Sequence, residues 1–473
     1  MKRNTHILFL LSLCIPYLSY AQYPYTFAHG GGYNSSNSIV RMYDGEHAVT
    51  YYENPINGVG VVAFVDVISG SSTEVELEQG VTCYDMSITN DTVFLCGQHS
   101  VPPSNMYGCI VILPITEFYS SIANITYYRP YYWMQSVLTS IVSYTDDYYG
   151  IRIACTGNYY YNCDGTPPFP YGFNNTYIIN GATSPCVENF ALALTAPPHG
   201  NANTSRVMRF VNPNENPFET LYDVVATDNY VVFIGVDLGT PHSVVIHACP
   251  KIHNNIITPI TRTPGYDPFS YYTKFTLNND HGSPQYMVVA LGEDSIAIAA
   301  TNEDYPGLPY DIRIRTIDLN TMMNTHSQAI INNDYTELKD MTYMPDKGML
   351  ELLYRHTHYI YNDIDIFCRI DPYRTSFPYN TPAKTLANEE KYQSIHKMKY
   401  GYFIATGGDF GLVEESNSYI PNCHKELNVQ PSAVTKLSPI QPYFNYDQLY
   451  PYPYVIQTQV PTIDVPIPII CTE

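Results

Sequence analysis

Seven times along the chain an apolar run is interrupted by a few acidic, amide or glycine residues and then resumes for longer. The copies read IVRMYDGEHAVTYYE from Ile39, CYDMSITNDTVFLCG from Cys83, SIVSYTDDYYGIRIACTG from Ser140 and YDVVATDNYVVFIGV from Tyr222. MVVALGEDSIAIAAT from Met287, DMTYMPDKGMLELLYR from Asp340 and the shorter HKMKYGYFIATGG from His396 complete the set. Val, Ile and Tyr on either side of a tight polar turn predict a β-hairpin in each copy. The spacing predicts more. Turn positions at Asp44, Asn90, Asp146, Asp228, Glu293, Asp346 and Tyr400 are 46, 56, 82, 65, 53 and 54 residues apart.

Between copies the text holds a loop, a third alternating run, a turn and a fourth. In the first unit these runs are GVGVVAFVDV from Gly58 and TEVELE from Thr73; in the fifth they are DIRIRTIDL from Asp311 and NTHSQAI from Asn324. Helical periodicity is nearly absent. One small twisted sheet buries too little apolar surface to stand alone, whereas radial stacking covers both its faces. The pattern therefore resembles seven-bladed β-propeller repeat proteins, and the resemblance implies an all-β ring of four-stranded blades over residues 22–435. Tandem β-sandwiches are the competing architecture. Trp133 is the single tryptophan, which excludes a WD-type repeat. A Gly-Gly pair falls inside just one copy, at Gly407-Gly408, which excludes kelch.

Two stretches break the period. Residues 156–205 are read as a loop insertion that accounts for the 82-residue interval, and residues 436–473 as an extended Pro- and Tyr-rich tail. Residues 1–21 combine Lys2-Arg3, an apolar stretch from Ile7 to Leu13 and Ser19-Tyr20-Ala21, a secretory signal peptide with cleavage before Gln22. The Ala-Gln junction resembles those of secreted proteins of Bacteroidetes-like bacteria. The expectation is an exported protein, periplasmic, at the cell surface or extracellular, with no transmembrane segment in the mature chain.

The formal net charge of −21 disfavours nucleic acid and anionic membranes as partners. Export makes disulfides plausible; flanking of loops nominates Cys96 with Cys109 and Cys163 with Cys186, and Cys423 with Cys471 would pin the C-terminal tail.

Catalytic signatures are missing: no GxSxG, HExxH, Walker loop, EF-hand or dinucleotide fingerprint occurs. His356 and His358, alternate residues of an extended segment in the second-to-third-strand loop of unit six, could share one metal with Asp363 and Asp365. Ordinary surface roles for such a pair weigh more, and neither a metal nor a cofactor is expected. Acidic pairs such as Asp146-Asp147 and Glu293-Asp294 recur once per unit, as turns require, rather than once per protein, as catalysis requires. The loops joining second to third strands gather at one rim and are rich in Tyr, Asn and Pro. They nominate Tyr159, Tyr160, Tyr161, Tyr305, Tyr310, His356 and His358 as contacts for a protein, peptide or glycan. The resulting expectation is a non-catalytic binding propeller; the alternative is a glycan hydrolase or lyase with carboxylates in the central funnel.

Overall fold

The architecture comes from a computed structural model, which describes residues 26–29, 39–44, 46–54, 57–66, 71–101, 105–129, 135–146, 150–161, 186–195, 206–210, 219–237, 243–251, 271–276, 286–302, 311–330, 335–345, 348–357, 364–373, 381–385, 392–397, 401–406, 410–416, 425–429, 431–433, 444–447, 452–459 and 469–471. Each of the seven phrases is an antiparallel hairpin that opens one sheet. The pairs are Ile39–Met42 with His47–Glu53, Val81–Thr89 with Thr92–Val101, Gln135–Asp146 with Gly150–Tyr161, and Glu219–Ala226 with Tyr230–Asp237. Tyr286–Ala290 with Ser295–Asn302, Tyr335–Met344 with Met349–Thr357, and Tyr392–Lys397 with Gly401–Thr406 follow. A third and a fourth strand extend every hairpin outwards. The described strands thus form seven sheets, here blades 1 to 7, each paired only within itself.

The first strands of neighbouring blades touch all the way round, blade 7 meeting blade 1 through Tyr392–Lys397 and Ile39–Met42. That closure makes the chain an all-β propeller. Apolar side chains fill the seams. Between blades 1 and 2, Tyr51, Val62, Phe64, Val111 and Phe118 are buried together, and Ile234, Ile246, Ile296 and Ile298 do the same between blades 4 and 5. Alternate residues of a strand face opposite seams, so both faces of each middle strand read as apolar.

The last blade is completed from both directions. Thr26–His29 supplies its fourth strand, pairing with Phe410–Ser416, and Ile469–Cys471 adds a fifth outside it. The other tail strands cap outer edges in turn: Lys425–Val429 on blade 6, Pro431–Ala433 on blade 5, Phe444–Asp447 on blade 3 and Tyr452–Gln459 on blade 2. Among the described residues, blades 1 and 4 keep four strands. Edge pairing by the tail starts at Lys425, upstream of the boundary expected at 436.

The stretch 156–205 is not a single loop. Thr156 to Tyr161 continue the second strand of blade 3, Cys186–Thr195 is its third strand, and Arg206–Phe210, just beyond, is its fourth. The reason is visible in CVENFALALT, whose alternating apolar side chains suit a strand.

Candidate functional site

The inner strands carry a device that the sequence reading missed. In blades 2, 3, 4, 6 and 7 the first strand slips register by one residue, at Cys83/Asp85, Leu138/Ser140, Leu221/Asp223, Leu338/Asp340 and Tyr392/Ser394. Such a bulge re-aims the residue that follows it, and here that residue is always Asp or Ser. Asp85, Asp223 and Asp340 each accept the next residue's N–H at 2.8 Å. In blade 2 the bulge also demands Gly97, because a Cβ there would stand 1.9 Å from the Thr82 carbonyl oxygen.

Three of these positions, with Arg41 of blade 1, are wired together across blades 1 to 4. Arg41 of blade 1 donates from Nη2 to Asp85 Oδ1 at 2.8 Å and from Nε to the Met86 carbonyl at 2.9 Å. Asp85 Oδ2 accepts the Ile141 N–H at 2.9 Å and lies 2.8 Å from Ser140 Oγ in blade 3. Ser140 Oγ lies equally 2.8 Å from Asp223 Oδ1 in blade 4. A hydroxyl has one proton to give, so it cannot donate to two carboxylates at once. The chain is satisfied when one carboxyl is itself protonated and donates to Ser140. Burial, with the charge of Asp85 second, pushes Asp223 up to about 7 against the opposing pull of Ser140, Val224 and Arg41.

The rim formed by the first-to-second and third-to-fourth turns carries a second feature. Asn90 and Asp91 both have positive φ, 46° and 56°, the two-residue turn that suits a twisted hairpin. Tyr43 Oη donates to Asp91 Oδ1 at 2.5 Å, tying the turns of blades 1 and 2, and this bond with burial behind it pushes the phenol up to about 12. The Tyr43 ring meets Phe64 edge-on at 5.6 Å, His47 stacks on Phe64 at 5.1 Å, and Tyr119 meets Phe64 edge-on at 5.9 Å. Tyr119 is 72% exposed and Ile122 46% exposed, so the aromatic cluster breaks through to solvent. Asp44 accepts from the Glu46 and His47 N–H groups and pairs with His47 Nδ1 at 2.8 Å; burial opposes ionisation, but these bonds outweigh it and hold the carboxyl below its usual range. A smaller exposed pair, Met323 and Tyr373, lies at the same rim on blades 5 and 6.

Several expected site residues sit differently. Tyr159, Tyr160 and Tyr161 occupy the end of a strand, opposite Glu188, Val187 and Cys186, and not a free loop. His356 is likewise a strand residue, paired with Thr336 and Ile364, because the second strand of blade 6 runs on through Thr357. His358, Tyr305, Tyr310, Cys163, Cys423 and the signal segment lie outside the described residues. Cys186 and Cys471 are on strands of blades 3 and 7.

The Cys96–Cys109 pairing is overturned. Both are free, buried thiols. Cys96 stands opposite Ile110 while Cys109 stands opposite Gly97, so their side chains leave the sheet on opposite faces. Among the described residues no group of His, Cys, Asp and Glu could hold a metal, and no helix is long and apolar enough to cross a membrane.

No family model matches this chain, and no curated protein matches it. Two solved structures align with it at low similarity. A chain from a structural and mechanistic analysis of two prolyl endopeptidases aligns at TM-score 0.41 and 9% identity, over 92% of this chain and 56% of that one. This chain thus spans about half the length of that relative. The Nup133 β-propeller domain of Vanderwaltozyma polyspora aligns at TM-score 0.32 and 8% identity, over 80% of this chain and 100% of the domain. The strand pairing itself establishes the architecture.

Proposed function

We propose that this is an exported, non-catalytic propeller that holds a macromolecular partner against its ring. The observation that carries the reading is the solvent-breaking aromatic cluster around Tyr119, a rigid apolar platform whose neighbouring rings are already packed in place. The inner carboxylates support it from the other side, because Asp85 and Asp223 are occupied in joining blades. The sequence-based expectation placed the ligand at the opposite rim, on the loops between second and third strands. The exposed aromatic side chains among the described residues favour the turn rim instead.

The test is an array of peptides and oligosaccharides probed with the full mature chain, the Tyr119→Ser/Ile122→Ser variant, and a variant with residues 162–185 replaced by a short turn. Loss of capture in the first variant alone supports the turn rim. Loss in the shortened variant alone moves the site to the loop rim, and identical profiles for all three sink the binding reading. Export is checked separately by N-terminal sequencing of the mature protein, expected to begin at Gln22.

A second reading rests on one observation. Two carboxyls flank a shared hydroxyl and burial raises one of them to about 7, and a glycan-cleaving reading would assign them the roles of acid and base. Asp223→Asn and Asp85→Asn should then abolish a polysaccharide-cleaving activity that the wild-type chain displays. A wild-type chain inert on a broad polysaccharide panel removes this alternative.

A further inference from the structure

From residue 42 to residue 128, nearly all of blades 1 and 2, the chain contains no Lys or Arg and ten Asp or Glu. Arg41, immediately before, is turned inwards to Asp85. A stretch of this length without a single cation is a marked asymmetry in a chain that has 23 basic residues in all. Five of those acids stand at the turn rim beside the aromatic cluster: Asp44 and Glu46 in the first turn, Asp66 at the end of blade 1's third strand, Asp91 in the second hairpin, and Glu117 in the 3-10 turn Ile115–Tyr119. Asp91 reaches the rings through Tyr43, which meets Phe64, and Asp44 reaches them through His47; Phe64 in turn meets Tyr119, two residues from Glu117.

We infer that the turn rim of blades 1 and 2 is a docking surface for a basic protein segment, one that presents Arg or Lys side chains to Tyr119 and its acidic surround. This rests on the binding reading above and adds the chemistry of the partner. The physical case has two independent parts. The exposed Tyr119 ring offers a face on which a guanidinium can stack, an interaction stronger for a cation than for any neutral group. The surrounding carboxylates outnumber the basic groups of the two blades, among them Arg41, turned inwards to Asp85, Arg129 at the opposite end of blade 2's fourth strand, and His47 on Asp44. The net negative field steers cations to that spot and repels acidic chains. An apolar ligand would use the first part and waste the second; a metal ion would use the second and leave Tyr119 idle.

The experiment uses the full mature chain and a fluorescein-labelled decapeptide of alternating Arg and Ser, followed by fluorescence anisotropy. Expected results are saturable binding, a loss of about tenfold or more between 50 and 500 mM NaCl, and no binding of the matching Glu-Ser peptide. Tyr119→Ser should weaken binding about tenfold and Glu46→Gln/Glu117→Gln several-fold, while Tyr373→Ser, at the same rim on blade 6, leaves it unchanged; melting curves confirm that each variant is folded. Equal binding by Tyr119→Ser would show diffuse attraction to an acidic protein and overturn the proposal. Preferential capture of a cationic oligosaccharide such as a chitosan oligomer would overturn it as well. A neutral peptide bound as tightly as the basic one, yet still dependent on Tyr119, would defeat the basic partner while leaving the binding reading intact. Binding of no ligand through Tyr119 would defeat both.

Discussion

Between blades 1 and 2 the contact is a wall of Val, Phe and Tyr, whose polar tips are individually satisfied: Tyr51 Oη accepts the Cys83 N–H at 3.0 Å and Tyr127 Oη the Glu78 N–H at 2.8 Å. Along the inner strands of blades 2 to 4 the contact is instead a relay of side-chain hydrogen bonds through Asp85, Ser140 and Asp223, supported by Ser87 and Thr89 on Ser143 at 2.8 and 2.7 Å. Apolar contact is set by volume and is indifferent to pH. The relay is set by direction, so it fixes how one blade is placed against the next, and it works only while a proton is in the right place. One ring therefore contains joints of two kinds, one limited by packing and one by protonation.

Substitutions separate the two. Phe118→Ala should have the largest effect, about 4 kcal/mol, because it opens a cavity in a seam where Phe64 lies 5.6 Å away. Its cost should be the same at pH 5 and pH 8 when read from urea midpoints. Arg41→Ala should cost about 2 kcal/mol by removing a charge-assisted bond to the largely covered Asp85.

Asp223 gives the most diagnostic outcome. Its folded pKa, about 7, lies well above the 3.8 of an ordinary aspartate, so the folded state binds this proton more tightly than the unfolded chain does. Its contribution is fully present below about pH 4, declines as pH rises towards 7, and is gone above that. Asp223→Asn, which cannot ionise, should flatten that slope. It should also exceed wild type at pH 8 by about 2 kcal/mol; a variant less stable than wild type at pH 8 would show that the relay needs no proton. Tyr43→Phe should be the smallest, about 0.5 kcal/mol, since its bond to Asp91 is exposed.

How legible this was in the letters differs by level. The hairpins were plain, because Val- and Ile-rich runs around Asn90-Asp91 or Gly292-Glu293-Asp294 allow little else. The relay was overlooked although its signal was present: Asp or Ser stands directly before an apolar residue at Asp85-Met86, Ser140-Ile141, Asp223-Val224, Asp340-Met341 and Ser394-Ile395. The signal shows when the copies are aligned on the start of the inner strand and is hidden when they are aligned on the turn. The disulfide guess failed for a different reason. Flanking a loop says that Cys96 and Cys109 are close in sequence register, but the pleat decides which way each thiol points, and one residue of offset is enough to part them. The exposed Tyr119 could not be told from buried aromatic neighbours such as Phe118 and Tyr127 without the fold.

The strand Thr26–His29 is clasped between Phe410–Ser416 and Ile469–Cys471, so the earliest and latest segments of the described chain are neighbours in one sheet. Translation delivers the chain from one end, and the circle has no latch until the strand Phe410–Ser416 has emerged to take Thr26–His29 beside it. The ring must therefore wait for its seventh sheet before it can lock, however early the first six have paired.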